Sequence, residues 1–176
     1  MDFETVVKRR RMCREFLERG VPQEKIDRIL DLGSRYPSAG HTEPQEFIVV
    51  CDQRVKHDLA RAALDQMFVA QAPVVIVVVS DVRRWARRYG ERGVRFFSII
   101  DGAFVAMIIL LAAVDEGLGA CFVAAFHDRE VRQVLGLPAD VRPIGIIPVG
   151  YCSEGPRRLA RRSKARIVHH DRYGSK

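Results

Sequence analysis

The stretch from Val94 to Glu116 constrains this chain more than any other, because it reads as a long helix that is apolar nearly all round its middle. A helix without a polar face has to be packed on every side. Its nearly uncharged part, Gly102 to Val114, is bounded by Asp101 on one side and by Asp115 and Glu116 on the other, and falls short of the ~20 residues a bilayer crossing needs. It is therefore expected to be a core helix. A chain of 176 residues that is 48% apolar can build one core of ordinary size. It holds little sheet to wrap so apolar a helix, and a second copy of the chain is the expected cover.

The remaining pattern mixes helices and strands. Residues 3–13 and 22–35 read as helices, the second opened by Pro22 and carrying Ile26, Ile29, Leu30 and Leu32 at helical spacing. Tyr36 to Pro44 is a small, polar, proline-bounded loop, and Phe47 to Cys51 is a short β-branched run that suits a strand. Residues 53–68 return to helical spacing until Pro73 ends the element. Val74 to Val79 is an unbroken β-branched run, which at this length means a strand buried on both faces. Asp81 to Gly93 is a charged excursion, and Gly117 and Gly119 close the long helix. Residues 120–124 read as a strand, Asp128 opens a helix that Gly136 and Pro138 stop, and Ile144 to Val149 is the last strand. No repeat or second domain is visible. The expected architecture is one α+β domain over 1–176, a central mixed sheet flanked by helices, with 153–176 as a basic C-terminal arm and the long central helix at a dimer interface.

Composition removes several functional classes. Cys13, Cys51, Cys121 and Cys152 lie far apart without a CxxC pair, so they are expected to be buried free thiols. His41, His57, His127, His169 and His170 share no metal-ligand spacing, so no metal site is expected. GxSxG, HExxH, GxxxxGK[ST] and GxGxxG are all missing. The N-terminus carries no secretory pattern, which makes the cytoplasm the expected compartment and a membrane an unexpected partner. The net charge of +7 is concentrated in residues 1–20, 81–95 and 153–176. A polyanion binder would interleave its cations with exposed aromatics on one element. Three distant basic segments suit a compact anion gripped from several sides at least as well. A non-enzymatic nucleic-acid-binding module remains the competing reading.

Six segments, in order, carry a family resemblance. Arg10-Arg11-Met12-Cys13-Arg14-Glu15-Phe16 resembles the RRSxRxF signature of the nitroreductases, and residues 37–47, Pro-Ser-Ala-Gly-His-Thr-Glu-Pro-Gln-Glu-Phe, resemble that family's PSxxNxQPWxF loop. Asp101 to Gly119 is similar to its D-x-A…LLAA-x-x-x-GLG helix, and Cys121 to Phe126 to the strand ending beside the flavin. Gly150-Tyr151 and the stretch from Arg161-Arg162 to His169 are similar to its closing segments. The resemblance implies a compact, single-domain nitroreductase-like protein and a homodimer holding FMN between its subunits. It also implies an oxidoreductase in which NADH or NADPH gives hydride to flavin N5, for a small electron-poor acceptor such as a nitroaromatic or quinone. A flavin destructase or dehalogenase is the alternative within the same fold.

Carried onto this sequence, the resemblance implies that Arg10, Arg11, Arg14, Arg161 and Arg162 grip the flavin phosphate, with the backbone at Met12 taking the place of the family's serine. Guanidiniums suit a phosphate because they bind it in charge-assisted, often bidentate pairs. Ser38, Ala39 and His41 are expected to meet the ring from the partner subunit, Gln66 to reach its pyrimidine edge, and Ala124 and Ala125 to lie near N5. Arg14 is also the expected cation near N1 and O2. No side chain is expected to be catalytic, because the cofactor carries the reaction. His41 in place of asparagine, and Glu43-Pro44-Gln45 in place of QPW, bear on substrate choice. Residues 83–95, with Trp85 and Tyr89, sit where a lid over the pocket is expected.

Overall fold

The computed structural model describes residues 1–153, 155 and 160–175. In chain order it has α1 (Phe3–Arg9), α2 (Gln23–Ser34), a 3-10 turn (Ala39–His41), β1 (Gln45–Val50), α3 (Gln53–Ala62), α4 (Phe68–Gln71), β2 (Val74–Asp81) and α5 (Val82–Arg92). A π-helical turn (Gly93–Phe97) then leads into α6 (Ser98–Asp115), followed by β3 (Gly119–Ala120), α7 (Asp128–Leu135), β4 (Val141–Gly150) and α8 (Lys164–Ile167). The basic arm beyond Cys152 contains α8. The part of it at 154, 156–159 and 176 lies outside the described residues.

The four strands pair in the order β1-β2-β4-β3, and every ladder is antiparallel. The expected mixed character shrinks to one parallel bridge, Met12 to Ala120. Consecutive residues of β2 serve opposite faces, as a pleated strand requires. Val74, Ile76 and Val78 pack with Ile26 and Ile29 of α2 and Val105, Ile109 and Ala113 of α6. Val75, Val77 and Val79 pack with Leu59 of α3, Val69 of α4 and Val131 of α7. All of β2 is buried, as its β-branched run predicts.

Several boundaries differ from the sequence reading for identifiable reasons. The first helix stops at Arg9 and not at Cys13, because the chain beyond it is drawn out along the sheet, where Cys13 N–H donates to the Ala120 carbonyl. The helix read over 53–68 breaks after Ala62, where Leu64 and Asp65 take left-handed φ values. Asp81 to Gly93 is helix α5. Asp81 caps it by accepting from Arg83 N–H, and the apolar Trp85, fully buried beside Tyr89 and Phe97, fixes it to the body. The helical run Val82–Asp115, interrupted by non-helical backbone at Gly90, is long and apolar enough to cross a membrane, but half of its apolar window is buried in the protein.

The cysteine reading needs correction. Cys13 and Cys152 form a disulfide across 139 residues, Cys51 is exposed, and only Cys121 is a buried free thiol as expected. Sequence distance hid the pairing, because β3 and β4 bring both residues to Gly119. A Cβ at Gly119 would stand 2.8 Å from the Cβ of each cysteine, so a side chain there is excluded. The two joined segments are also zipped by backbone bonds from Leu17 N–H to Tyr151 O and from Ser153 N–H to Glu15 O.

Helix α6 is not enclosed within one chain. Val105, Ala106, Ile109, Leu110, Ala112 and Ala113 face the core, while Ile99, Phe104 and Met107 remain exposed on the other side. Neighbouring α1 adds exposed Phe3 and Val7 to this apolar surface.

Candidate functional site

The expected site residues fall into two groups at different ends of α6. At the first, the extended segment after α1 runs beside Ala120–Phe122, and Met12 turns its thioether inward to accept the Phe122 N–H at 3.4 Å. Arg10 lies on a groove of about 640 Å³ whose other walls include Phe3, Val7, Lys8, Met107, Leu111 and Arg161. Two arginines distant in sequence therefore share one cavity, with Lys8 beside them. Arg11 is half-buried next to Arg10, and Arg162 is exposed beside Arg161 without lining the groove. Arg14 points elsewhere within the segment, its guanidinium 5.9 Å from the centre of the Phe68 ring.

Gln66 lies in the turn between α3 and α4, the helices that cover the opposite face of the sheet from α6. Its amide nitrogen donates to the carbonyls of Ala63 at 2.8 Å and Ala125 at 3.1 Å, so it ties the end of the 120–125 segment to the turn between α3 and α4. Ala124 and Ala125 are both exposed there, leaving backbone that a flat ligand can approach closely.

The second group is the loop at the other end. Ala39 N–H donates to the Asp101 carboxyl at 3.1 Å, Ser38 Oγ accepts from Glu43 N–H at 3.1 Å, and the His41 side chain projects into solvent. Asp101 is only 2% exposed, and burial pushes its carboxyl above the ordinary value while the Ala39 N–H opposes the shift. With a helical rise of ~1.5 Å per residue, Asp101 and the groove residue Leu111 are roughly 15 Å apart along α6. Ser38, Ala39 and His41 thus sit well away from the Arg10 groove of their own chain.

Two residues at this loop were not singled out from sequence. Arg84 donates to the carbonyls of Thr42 and Glu43 at 3.3 and 3.2 Å, and Arg88 to that of Gly40 at 2.7 Å. Their i, i+4 spacing was the available signal, but it lay in a segment read as a charged excursion. Among the described residues no cluster of His, Cys, Asp and Glu could hold a metal, and the expected absence of a metal site remains an expectation.

A model of the nitroreductase family matches residues 7–73 and 66–151. The chain belongs to that family. It is therefore an oxidoreductase of a family whose members use flavin. A Methanocaldococcus jannaschii protein whose name is that of a nitroreductase is 32% identical over 180 residues, covering 84% of this chain and 89% of the relative. Human iodotyrosine deiodinase 1 is 25% identical over 180 residues, covering 87% of this chain, which spans 62% of the deiodinase's length. Among solved nitroreductase structures, one from Bacteroides thetaiotaomicron, titled as an NADH dehydrogenase/NAD(P)H nitroreductase, has a TM-score of 0.85 at 30% identity and covers 97% of both chains. The NADPH:FMN oxidoreductase of Vibrio harveyi, complexed with NAD+, has a TM-score of 0.88 at 22% identity, covering 98% of this chain and 78% of its own, a likeness of fold alone. The nitroreductase fold accounts for the α+β architecture and the long central helix.

Proposed function

We propose that the protein is an FMN-dependent oxidoreductase, active as a homodimer, that passes hydride from NADH or NADPH to an electron-poor small molecule of nitroaromatic or quinone type. The observation that carries this reading is the meeting of Arg10 and Arg161 in one groove beneath the open apolar side of α6. A groove lined by two guanidiniums, an ammonium and the apolar Phe3, Val7, Met107 and Leu111 fits a ligand with an anionic tail and a flat ring.

The flavin supplies hydride transfer when bound, and the residues here supply position and electrostatics. Arg10 and Arg161 would hold the phosphate by charge-assisted bonds. Gln66 keeps the Ala125 carbonyl in place, which leaves Ala124 and Ala125 as a flat edge for the ring. Ser38, Ala39 and His41 serve the partner's site. A second chain laid antiparallel along the exposed Ile99, Phe104 and Met107 would bring its loop toward this groove while excluding water from both apolar surfaces.

The direct test is the visible spectrum of the purified protein, before and after adding FMN, followed by anaerobic titration with each nicotinamide. Flavin absorbance that bleaches with NADH or NADPH supports the reading, and a colourless protein that stays colourless with FMN sinks it. The similarity to a deiodinase favours a second reading, reductive dehalogenation of a halogenated phenol. Halide release by the reduced protein, without turnover of nitroaromatics or quinones, would favour that reading instead.

A further inference from the structure

The loop Ser38–Glu43 holds an unusual backbone. Gly40, His41 and Glu43 have φ values of 60°, 53° and 43°, a region that non-glycine residues enter only against the clash of Cβ with the backbone. Such a run of left-handed residues persists only where surrounding contacts hold it. Contacts within the loop are the bonds from His41 N–H to Ser38 O, from Thr42 Oγ1 to Ala39 O and from Glu43 N–H to Ser38 Oγ. Beneath it, Asp101 takes the Ala39 N–H.

The outer side is held from α5. Arg84 and Arg88 occupy one face of that helix and together donate to the carbonyls of Gly40, Thr42 and Glu43. Gly40 admits this approach, since a Cβ there would collide with Tyr89 Oη and stand 2.7 Å from the Arg88 guanidinium. The helix itself is anchored, because Trp85, between the two arginines in sequence, is fully buried with its ring centre 5.9 Å from those of Tyr89 and Phe97, both tilted against it. A continuous path therefore runs from a core tryptophan through two guanidiniums to the loop backbone.

We propose that Arg84 and Arg88 are positioning residues that set the backbone of Ser38–Glu43 for the ring of the bound cofactor, an inference that rests on the flavin reading above. They act through the loop and do not touch the cofactor. The segment expected to be a lid is, on this account, the fixed support of the loop that meets the ring. Arginine suits the task because its guanidinium presents donors in fixed geometry, and in Arg84 the single Nη1 donates to two neighbouring carbonyls.

The test uses the full-length protein with Arg84→Ala, Arg88→Ala, the double variant and Arg88→Lys. Amide hydrogen exchange of peptides covering 38–43 is read without cofactor, and FMN affinity, the spectrum of the bound flavin, KM and kcat are read with it. The double variant should exchange its loop amides at least tenfold faster, bind FMN about tenfold more weakly, shift the bound flavin spectrum and raise the acceptor KM more than it lowers kcat. Arg88→Lys should recover part of each effect. Unchanged loop exchange, or faster exchange with unchanged FMN affinity and spectrum, overturns the positioning role. Wild-type protein that binds no FMN fails differently, since it removes the flavin reading itself. Should the double variant not fold, the single substitutions carry the same readouts.

Discussion

Breaking the Cys13–Cys152 disulfide is the sharpest perturbation of stability this fold offers. The bond closes a loop of 139 residues, and loop-closure entropy for that length corresponds to roughly 5 kcal/mol at 25 °C, with typical measured values of about 2–4 kcal/mol. The native contacts around it should survive its loss, because Phe16 bridges Cys152 and the flanking backbone bonds already join the two segments. The effect is thus expected mainly in the unfolded chain. Urea unfolding at fixed protein concentration, with and without reductant, should show the midpoint falling on reduction by the equivalent of about 2–4 kcal/mol. A Cys13→Ser/Cys152→Ser double variant should match the reduced protein and ignore reductant. Thiol titration of the denatured protein should find Cys51 and Cys121 reactive before reduction and all four cysteines afterwards. Complete reduction without movement of the midpoint would refute the reasoning.

Other perturbations test separate parts of the account. Lys56 is buried and donates to the Ala72 and Pro73 carbonyls at 2.7 and 3.3 Å, so Lys56→Met should cost about 1–3 kcal/mol in denaturant unfolding by orphaning them. Burial holds the folded Asp101 above its ordinary value of 3.8, so the fold takes up that proton before the unfolded chain does. This group's contribution is then fully present below about pH 3.8 and is lost as pH rises through the folded value. Asp101→Asn should shed that loss, so the variant's stability relative to wild type should grow from acid to neutral pH; a difference constant with pH would contradict the assignment. Phe104→Glu, on the exposed apolar face of α6 and outside the Arg10 groove, should raise the dimer dissociation constant at least about a hundredfold in sedimentation equilibrium, the order expected for a charge buried unpaired in an interface. An unaltered association would place the interface elsewhere.

Local patterns made much of the fold legible. The β-branched run at Val74–Val79 announced a strand covered on both faces, and Asp128 with Gly136 marked the ends of α7. What escaped depended on tertiary contact. The charge of 81–93 disguised a helix whose anchor is one buried tryptophan, and nothing near Cys13 in sequence points to Cys152. The apolar character of α6 announced more surface than one chain could cover, yet no pattern could say that Ile99, Phe104 and Met107 would be the residues left exposed. At the site, residue type and family resemblance picked out Arg10 and Arg161, which share a groove, and Gln66 and Ala125, which share a hydrogen bond. The supporting roles of Arg84 and Arg88 stayed hidden because their acceptors are backbone carbonyls, which side-chain motifs do not reveal.

Comparing FMN with riboflavin, which lacks the phosphate, tests the central claim most directly. Titrations should give wild-type protein at least a hundredfold preference for FMN, and the Arg10→Ala/Arg161→Ala variant should lose most of it while binding riboflavin as before. That range corresponds to about 3 kcal/mol, a modest demand on two charge-assisted pairs. Equal affinity of the wild-type protein for both flavins, or a preference untouched by removing both arginines, would contradict the account.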